Sequence, residues 1–251
     1  MKELARLDML VVERGLAATR SRARALILAG LVRVNGVVQS KAGTPVARDA
    51  RVTLDTADHP FVGRGGTKLA HALDRFGIDA RGRTALDIGA STGGFTDALL
   101  QHGAARVAAL DVGRGQLDWT LRVDERVVVL EGINARRLTP ETLPAEFRSV
   151  DIVTVDVSFI SLRLILPGVP PLLAPDGDVV VLVKPQFEAG RREVKKGGIV
   201  RDPAVHRRVV GEVAAAADAI GLARAAETPS PLRGAEGNQE FFLHLRRRAT
   251  G

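Results

Sequence analysis

The spacing of apolar residues changes along the chain and divides it into two parts. In residues 7–15 and 19–30 the apolar side chains recur at helical spacing, which predicts two short helices. Two runs of β-branched residues follow, joined by Asn35 and Gly36, a pair typical of a hairpin turn. A third short strand is predicted over Val52–Leu54. The order of these elements indicates a small α+β domain.

Beyond residue 62, buried strands alternate with amphipathic helices. Asp202 and Pro203 form a typical helix start, and Gly221 forms a typical helix end. Strand–helix alternation of this kind predicts an α/β fold with a Rossmann-like, parallel and doubly wound sheet. The predicted helices span 68–76 and 203–220, and the predicted strands span 85–88, 106–112, 127–130, 151–157, 179–183 and 240–245.

These patterns predict a small domain over 1–58, a linker over 59–62 and a large domain over 63–251. In the chain of 251 residues, 36 Lys or Arg outnumber 29 Asp or Glu, and the net charge of +7 favours a polyanionic partner such as nucleic acid. There is no cysteine, which excludes disulfides and thiolate metal sites. Neither a signal sequence nor an apolar run of about 18 residues is present. We therefore expect a cytoplasmic protein that does not enter a membrane.

A glycine-rich turn follows the first predicted strand of the large domain. Asp87 ends the strand, and the turn contains Gly89, Gly93 and Gly94. This spacing differs from the dinucleotide motif and has no Walker lysine, so it favours a nucleoside without phosphates. S-adenosylmethionine is the commonest cofactor of that kind. Two alternatives stay open: a turn that serves folding alone, and a hydrolase nucleophile elbow at Ser91, which would require a histidine.

Polar residues also stand at the ends of other predicted strands. Asp111 ends the second strand, at the offset from the glycine turn where an acid accepts hydrogen bonds from ribose hydroxyls. Asn134 follows the third strand, where its amide could contact an adenine edge. Asp87 either orders the turn or faces the charged groups of the cofactor. Together these residues predict a nucleoside site at the carboxyl edge of the sheet.

Four charged residues have local sequences that folding alone does not explain. Lys68 begins a predicted helix, where the helix dipole disfavours a cation. Asp156 and Lys184 interrupt or end apolar strands, and Glu240 begins the last strand. Each could singly be a solvated end of an element. With the glycine turn they suggest one reactive set, and no cluster of His, Asp and Glu residues suggests a metal.

Basic residues concentrate in the small domain and in one loop of the large domain. Through residue 58 there are ten Lys or Arg and six Asp or Glu residues. The loop 191–201 has five basic residues and one acid, and it is either a clamp on an RNA backbone or a solvated loop. The predicted RNA contacts are Arg6, Arg20, Arg22, Arg24, Lys41, Arg64, Lys195 and Lys196.

The segments 15–23 and 30–36 resemble the RNA-binding module first described in ribosomal small-subunit protein four. Over essentially its whole length, the chain is similar to the TlyA family of FtsJ-like rRNA 2′-O-methyltransferases, which are described as acting on cytidines. The motifs of this resemblance are Gly-x-x-Lys68-Leu, Asp87-Ile-Gly-Ala-Ser-Thr-Gly-Gly-Phe-Thr, Asp156-x-Ser-Phe-Ile-Ser, Leu182-Val-Lys184-Pro-Gln-Phe-Glu188 and Gly237-Asn-x-Glu240.

The resemblance implies the roles of the site residues. Lys68, Asp156, Lys184 and Glu240 would form a catalytic tetrad acting on a ribose 2′-hydroxyl of 16S or 23S ribosomal RNA, or both, within ribosomal subunits. The methyl donor would be S-adenosylmethionine. Its predicted contacts are Asp87, Gly89, Ser91, Gly93, Gly94, Phe95, Asp111 and Asn134.

The chemistry of 2′-O-methylation favours such residue types. A ribose hydroxyl must lose its proton as it attacks a methyl group, and we expect Lys184 to accept that proton. Three other functions remain as alternatives: a membrane-acting haemolysin, as an older family name suggests; an RNA-binding assembly factor without catalysis; and a pseudouridine synthase on the same small domain. The target nucleotide, the choice of ribosomal subunit and the oligomeric state are left open.

Overall fold

A computed structural model describes residues 3–17, 19–28, 30–54, 60–190, 192–195, 197–234 and 237–248. The chain divides into two compact units, Met1–His59 and Pro60–Gly251. Residues 60–62, part of the predicted linker, belong to the second unit, where the Val62 amide donates to Asp97 Oδ2 at 2.7 Å. The domain limits drawn from the sequence stay a prediction.

The first unit has two helices packed on short antiparallel strands. Its apolar core includes Leu7, Leu10 and Ile27, all buried. The predicted hairpin is present, since Val34 pairs with Val37 across the turn. Strands β1 and β4, which pair with each other, were not predicted. The elements are β1 (Leu4–Arg6), α1 (Leu7–Glu13), α2 (Arg20–Leu28), β2 (Val32–Val34), β3 (Val37–Gln39), β4 (Pro45–Ala47) and β5 (Val52–Leu54).

The second unit is a seven-stranded sheet with helices on both faces. The strands are β6 (Thr84–Ile88), β7 (Arg106–Asp111), β8 (Val127–Glu131), β9 (Val150–Val155), β10 (Leu173–Val183), β11 (Leu222–Pro229) and β12 (Phe241–Arg247). The α-helices are α3 (Arg64–Phe76), α4 (Gly94–Gln101), α5 (Trp119–Arg122), α6 (Pro185–Glu188) and α7 (Pro203–Asp218). Short 3₁₀ turns lie at Ala135–Arg137, Pro140–Thr142, Ala145–Phe147, Leu162–Leu164, Leu166–Gly168 and Pro170–Leu172.

The strand order is β11-β12-β10-β9-β6-β7-β8. The strands from β10 to β8 are parallel, but β12 is antiparallel to both of its neighbours. The sequence therefore predicted the Rossmann-like fold correctly and an all-parallel sheet wrongly. The short segment between β11 and β12 explains the difference, because a parallel connection needs a crossover of about a dozen residues or more.

Alternate strand residues enter two different cores, one on each face of the sheet. Ile152 packs with helices α3 and α4, around Leu69 and Leu99. Its neighbour Val153 packs on the opposite face with helix α7, around Val213. This two-sided burial is typical of a doubly wound sheet, and it leaves the carboxyl ends of the parallel strands as the edge where polar residues can gather.

Candidate active site

Two lysine–carboxylate pairs lie at the carboxyl edge of the sheet. Lys184 Nζ is 2.6 Å from Asp156 Oδ1, and Lys68 Nζ is 2.6 Å from Glu240 Oε2. All four side chains are at least three-quarters buried, and that of Glu240 is only 3 % exposed. Burial weakens the competition of water with the ion pairs. The structure thus gathers the four predicted reactive residues into two close pairs.

Strand pairing brings the two pairs together. Asp156 directly follows β9 and Lys184 directly follows β10, which is parallel to β9. Glu240 directly precedes β12, which runs antiparallel to β10 with Val183 opposite Phe241. Lys184 and Glu240 are therefore the next residues along two neighbouring strands. This juxtaposition depends on the antiparallel direction of β12, a strand whose position the sequence predicted but whose direction it did not.

Lys68 reaches Glu240 from a helix that begins earlier than predicted. Helix α3 starts at Arg64, so Lys68 lies in its second turn and not at its N-terminus. The expected clash of its charge with the helix dipole is therefore much reduced. The first turn of α3 packs against α4 at glycines: a Cβ on Gly94 would lie 2.9 Å from the Gly66 nitrogen. This close approach requires residues without side chains and sets the position of Lys68.

A buried carboxylate, which the sequence pattern did not predict, joins the loop after Asp156 to the segment after Lys184. Glu188, at the end of α6, accepts hydrogen bonds from Ser161 Oγ at 2.6 Å and from the Leu162 amide at 2.7 Å. Burial raises the pKa of Glu188 above its ordinary value. These hydrogen bonds connect the segment after Lys184 to the loop after Asp156. Glu188 and Ser161 both belong to the motifs quoted above. The sequence shows the two residues but not the hydrogen bond between them.

The loop after Asp156 also presents an aromatic ring to solvent. Phe159 is 90 % exposed and has a φ of 64°, a backbone conformation that residues other than glycine rarely adopt. Its ring centroid lies 5.1 Å from that of Phe187. Nearby, Lys184 Nζ donates to Ser158 Oγ at 2.9 Å. An exposed, strained aromatic residue beside reactive groups is an uncommon feature of a folded surface and points to a ligand.

The glycine turn has a different explanation from the one expected. A Cβ on Gly93, at a φ of 98°, would lie 2.2 Å from Leu121 Cδ1, and a Cβ on Gly89 would lie 2.3 Å from the Asp156 carbonyl oxygen. Packing within the protein therefore suffices to account for these glycines. The expectation that a ligand approaches bare backbone there is not needed to explain them, and cofactor contact at this turn stays a prediction.

Asp87 orders this turn from within the core. It is fully buried and accepts hydrogen bonds from Thr96 Oγ1 at 2.7 Å and Thr154 Oγ1 at 2.9 Å. Burial raises the pKa of Asp87 to about 7, against the hydrogen bonds from the two threonines, which lower it. Of the two roles left open for Asp87, the hydrogen bonds match the ordering of the turn. Its side chain does not face the open edge.

The remaining predicted cofactor residues differ in their exposure. Asp111 lies at the rim, where Oδ2 accepts from the Ser91 amide at 2.8 Å and Oδ1 from the Gly113 amide at 2.7 Å. Asn134 caps a 3₁₀ turn through its Oδ1. Phe95, predicted as a contact, is 3 % exposed and packs in the core, so its ring faces protein.

The hydrolase alternative finds no support around Ser91. The Ser91 hydroxyl lies 3.4 Å from Gln116 Oε1. Three histidine rings form hydrogen bonds elsewhere: His102 with Ala98, His206 with Val200 and His244 with Asp178. A nucleophile elbow requires a hydrogen bond between the serine and a basic histidine.

In the first unit, a buried carboxylate holds two of the predicted RNA contacts. The fully buried Asp8 accepts from Arg6 Nε at 3.1 Å and from Arg20 Nε at 3.0 Å. The hydrogen bond from Arg6 is the largest cause that lowers the pKa of Asp8 to about 2. Both arginine side chains remain half exposed. The two arginine guanidinium groups are thereby held at fixed positions by Asp8.

The other predicted RNA contacts lie on exposed surface, where the structure describes them. Arg24, Lys41 and Lys195 are exposed, as is Arg64, whose Nη2 donates to the Arg233 carbonyl at 3.3 Å. The side chain of Arg22 and all of Lys196 lie outside the described residues.

The described part of the chain contains no helix long and apolar enough to cross a membrane. In that same part, no group of three or more His, Cys, Asp or Glu residues could hold a metal ion.

The side-chain oxygens of Thr67 and Gln186 are buried and have no hydrogen-bond partner among the described residues. Thr67 directly precedes Lys68, and Gln186 follows Lys184 by two residues.

Comparison with known proteins agrees with this geometry. Residues 61–247 match the FtsJ-like methyltransferase family and residues 5–52 match the S4 domain. The chain is 48 % identical over 247 residues to the 16S/23S rRNA (cytidine-2′-O)-methyltransferase TlyA of Mycobacterium tuberculosis, which covers 98 % of this chain and 91 % of that protein. It is 43 % identical over 241 residues to Hemolysin A of Brachyspira hyodysenteriae, covering 96 % and 99 %. An S-adenosylmethionine dependent methyltransferase from Mesorhizobium loti has the same fold, with a TM-score of 0.54, 18 % identity, and 70 % and 96 % of the chains covered.

Proposed function

The chain belongs to the FtsJ-like methyltransferase family and has an S4 domain at its N-terminus, and we propose that it methylates the 2′-hydroxyl of a cytidine ribose in ribosomal RNA. As a member of this family it is an rRNA methyltransferase with S-adenosylmethionine as its cofactor. The observation that carries the finer proposal is the pair of lysine–carboxylate contacts at the sheet edge, at 2.6 Å each. Such groups suit the deprotonation and positioning of a poorly acidic hydroxyl.

The residues at the rim fit the methyl donor. Asp111 keeps free lone pairs beyond its two backbone hydrogen bonds and could accept from ribose hydroxyls. The next residue, Val112, is 69 % exposed and offers an apolar surface for a base. The side-chain amide of Asn134 is a further polar group near this end of the sheet. When bound, S-adenosylmethionine supplies a methyl group already activated by a sulfonium.

We assign the proton transfer to the Lys184–Asp156 pair. In its neutral form, the Lys184 amine would accept the proton of the 2′-hydroxyl while that oxygen takes the methyl group and the sulfonium leaves as a neutral thioether. Asp156 holds the amine in place and stabilises the charge that this transfer leaves on it. Ser158 Oγ, 2.9 Å from Nζ, limits the rotation of the amine. The chemistry then depends mainly on holding the two reacting atoms close together.

The Lys68–Glu240 pair serves as a positioning device in this proposal. Lys68 is 11 % exposed and extends from α3 to the edge of the site, and Glu240 directly precedes β12. The pair thus connects the two elements that border the Lys184–Asp156 pair. The unpaired oxygens of Thr67 and Gln186 are hydrogen-bonding groups that a bound substrate could satisfy.

Phe159 supplies a surface for the base of the target nucleotide. An aromatic side chain that is 90 % exposed beside the reactive pair can stack on an unpaired base, which is a common mode of RNA recognition. In the S4 domain, Arg6 and Arg20 are presented by Asp8 as phosphate contacts. A folded RNA in a ribosomal subunit offers both an unpaired base and a structured backbone.

The experiment that tests the proposed function is methyl transfer to isolated ribosomal subunits. Purified protein with tritiated S-adenosylmethionine should label rRNA in at least one subunit, and mapping should locate the label on the 2′-oxygen of a cytidine. Label on a base, or on no RNA, would contradict the proposal. A parallel test of dye release from liposomes addresses the haemolysin name of the Brachyspira relative, and we expect no release.

A further inference from the structure

A groove crosses the surface of helix α7 in the second unit. It consists of two adjoining cavities, of about 420 and 540 Å³, which share Pro203 and His206. Cavities of this size are within the range that holds small ligands or one nucleotide each. We call it the α7 groove and define it by Arg201, His206, Arg207, Gly211, Arg224 and Arg233.

The α7 groove is strongly basic. Among the residues that the structure describes, four arginines line it, against one acid, Glu227, which pairs with Arg224 at 2.8 Å. Arg201 and Arg207 are exposed and form no ion pair with any residue in the described part of the chain. Concave surfaces with this excess of positive charge favour a polyanion.

One end of the α7 groove is next to Glu240 along the chain. Gln239 lines the groove, and the next residue, Glu240, pairs with Lys68. Asn238, fully buried, fixes this end: its Oδ1 accepts from the Val200 amide at 2.9 Å and its Nδ2 donates to the Gly198 carbonyl at 2.8 Å. The bridge between Lys195 and Ile199 is thereby held beside the groove, which Ile199 lines.

A glycine in the middle of α7 keeps the groove open. Gly211 lies in the interior of a 16-residue helix, where glycine is less stable than alanine. A Cβ at this position would have no atom within 4 Å, so packing within the protein does not require glycine. Nearby, the rings of His206 and Phe241 lie with centroids 5.4 Å apart and offer an aromatic surface in the groove.

We propose that the α7 groove binds single-stranded RNA that continues from the target nucleotide. The arginines contact its phosphates, and the His206 and Phe241 rings contact a base. This inference rests on the proposed function and adds a second RNA site, on the α7 face of the sheet, to that of the S4 domain. The ligand class is the RNA backbone and its flanking bases.

The test uses the full-length protein and two variants at one position. Gly211→Trp fills the groove, whereas Gly211→Ala fits the open space and suits a helix. We expect Gly211→Trp to weaken binding of a fluorescein-labelled oligocytidine RNA by about tenfold or more, the effect of removing one stacked base. Gly211→Ala should bind within about twofold of the wild type, since the groove keeps its shape and charge. Affinity for S-adenosylhomocysteine, measured by calorimetry, should be unchanged in both variants and shows that they are folded.

Charge reversal gives an independent readout. Arg207→Glu should weaken binding of the same RNA and reduce the slope of log affinity against log salt by about 0.7 for each phosphate that the protein no longer neutralises. Arg106→Glu makes the same charge change at the amino end of β7, away from the groove, and should leave the slope near that of the wild type. Equal effects of the two reversals would overturn the proposal, because only net charge would then matter.

Methyl transfer to ribosomal subunits separates the two proposals. If the wild type methylates rRNA while Gly211→Trp and Arg207→Glu bind RNA normally, the groove proposal is wrong and the proposed function stands. If the wild type transfers no methyl group to either subunit, the proposed function fails and the groove proposal falls with it. If the variants lose binding to intact subunits but not to deproteinised rRNA, the groove binds a ribosomal protein and the RNA proposal is wrong.

Discussion

Removal of the Glu188 carboxylate should slow methyl transfer without affecting cofactor binding. Glu188→Ala leaves the Leu162 amide and the Ser161 hydroxyl without their acceptor, and both lie next to the loop that contains Asp156. A hydrogen bond to a charged group contributes about 1.5–3 kcal/mol, so the loop loses about 3 kcal/mol or more of restraint. Misplacement of reacting groups by about 1 Å can cost about 100-fold in rate, and we expect kcat to fall by about 10-fold to 100-fold.

The conservative variant distinguishes positioning from direct chemistry. Glu188→Gln can accept from the Leu162 amide and donate to Ser161 Oγ, so kcat should return to within about threefold of the wild type, because both hydrogen bonds persist. Glu146→Ala, at an exposed residue, is the matched control. Single-turnover methyl transfer and calorimetry with S-adenosylhomocysteine give the two readouts. A wild-type kcat in a folded Glu188→Ala protein would refute the reasoning, as would equal losses in both variants.

Three further predictions concern stability and RNA binding. Asp178 is buried, yet hydrogen bonds from His244, Arg83 and Arg246 outweigh its burial and hold its pKa below the ordinary value. Asp178→Asn should lower the free energy of unfolding by about 3 kcal/mol in urea titrations at pH 7, and this difference should shrink as the pH falls below about 4, because the ionised form provides the stability. Phe159→Ala should weaken RNA binding by about 10-fold or more in anisotropy titrations, with the melting temperature unchanged, since a stacked base contributes about 1–3 kcal/mol. Asp8→Asn raises the net charge, yet it should weaken RNA binding by about 3-fold to 10-fold, which corresponds to about 1 kcal/mol, because the arginines lose their fixed position; tighter binding would show that charge alone matters.

Much of the site was predictable because it follows strand ends. Asp156 and Lys184 stand where apolar strands stop, and parallel strands bring such positions to one edge. The pairing of Lys68 with Glu240 was harder to predict from the sequence. It depends on the antiparallel direction of β12 and on the close glycine packing between α3 and α4, and both are long-range features that local spacing does not report.

The parts that were missed have specific physical causes. Strand β11, at Leu222–Pro229, lies at the sheet edge and has many exposed residues, so its apolar pattern is weak. The role of Glu188 depends on a hydrogen bond across 27 residues with Ser161. The sequence pattern explains the glycines of the turn by the approach of a ligand, and it does not show the packing against Leu121 and the Asp156 carbonyl that also requires glycine there. A glycine in a sequence shows that a side chain is absent but not what takes its place.

Lys184→Ala is the variant that tests the catalytic assignment most directly. The measurement is single-turnover transfer of a tritiated methyl group to ribosomal subunits that the wild type labels, beside calorimetry with S-adenosylhomocysteine. The proton-acceptor role predicts wild-type cofactor affinity and no detectable transfer to the 2′-oxygen. Transfer at a rate near that of the wild type would contradict it, because no amine would then stand 2.6 Å from Asp156 to receive the proton.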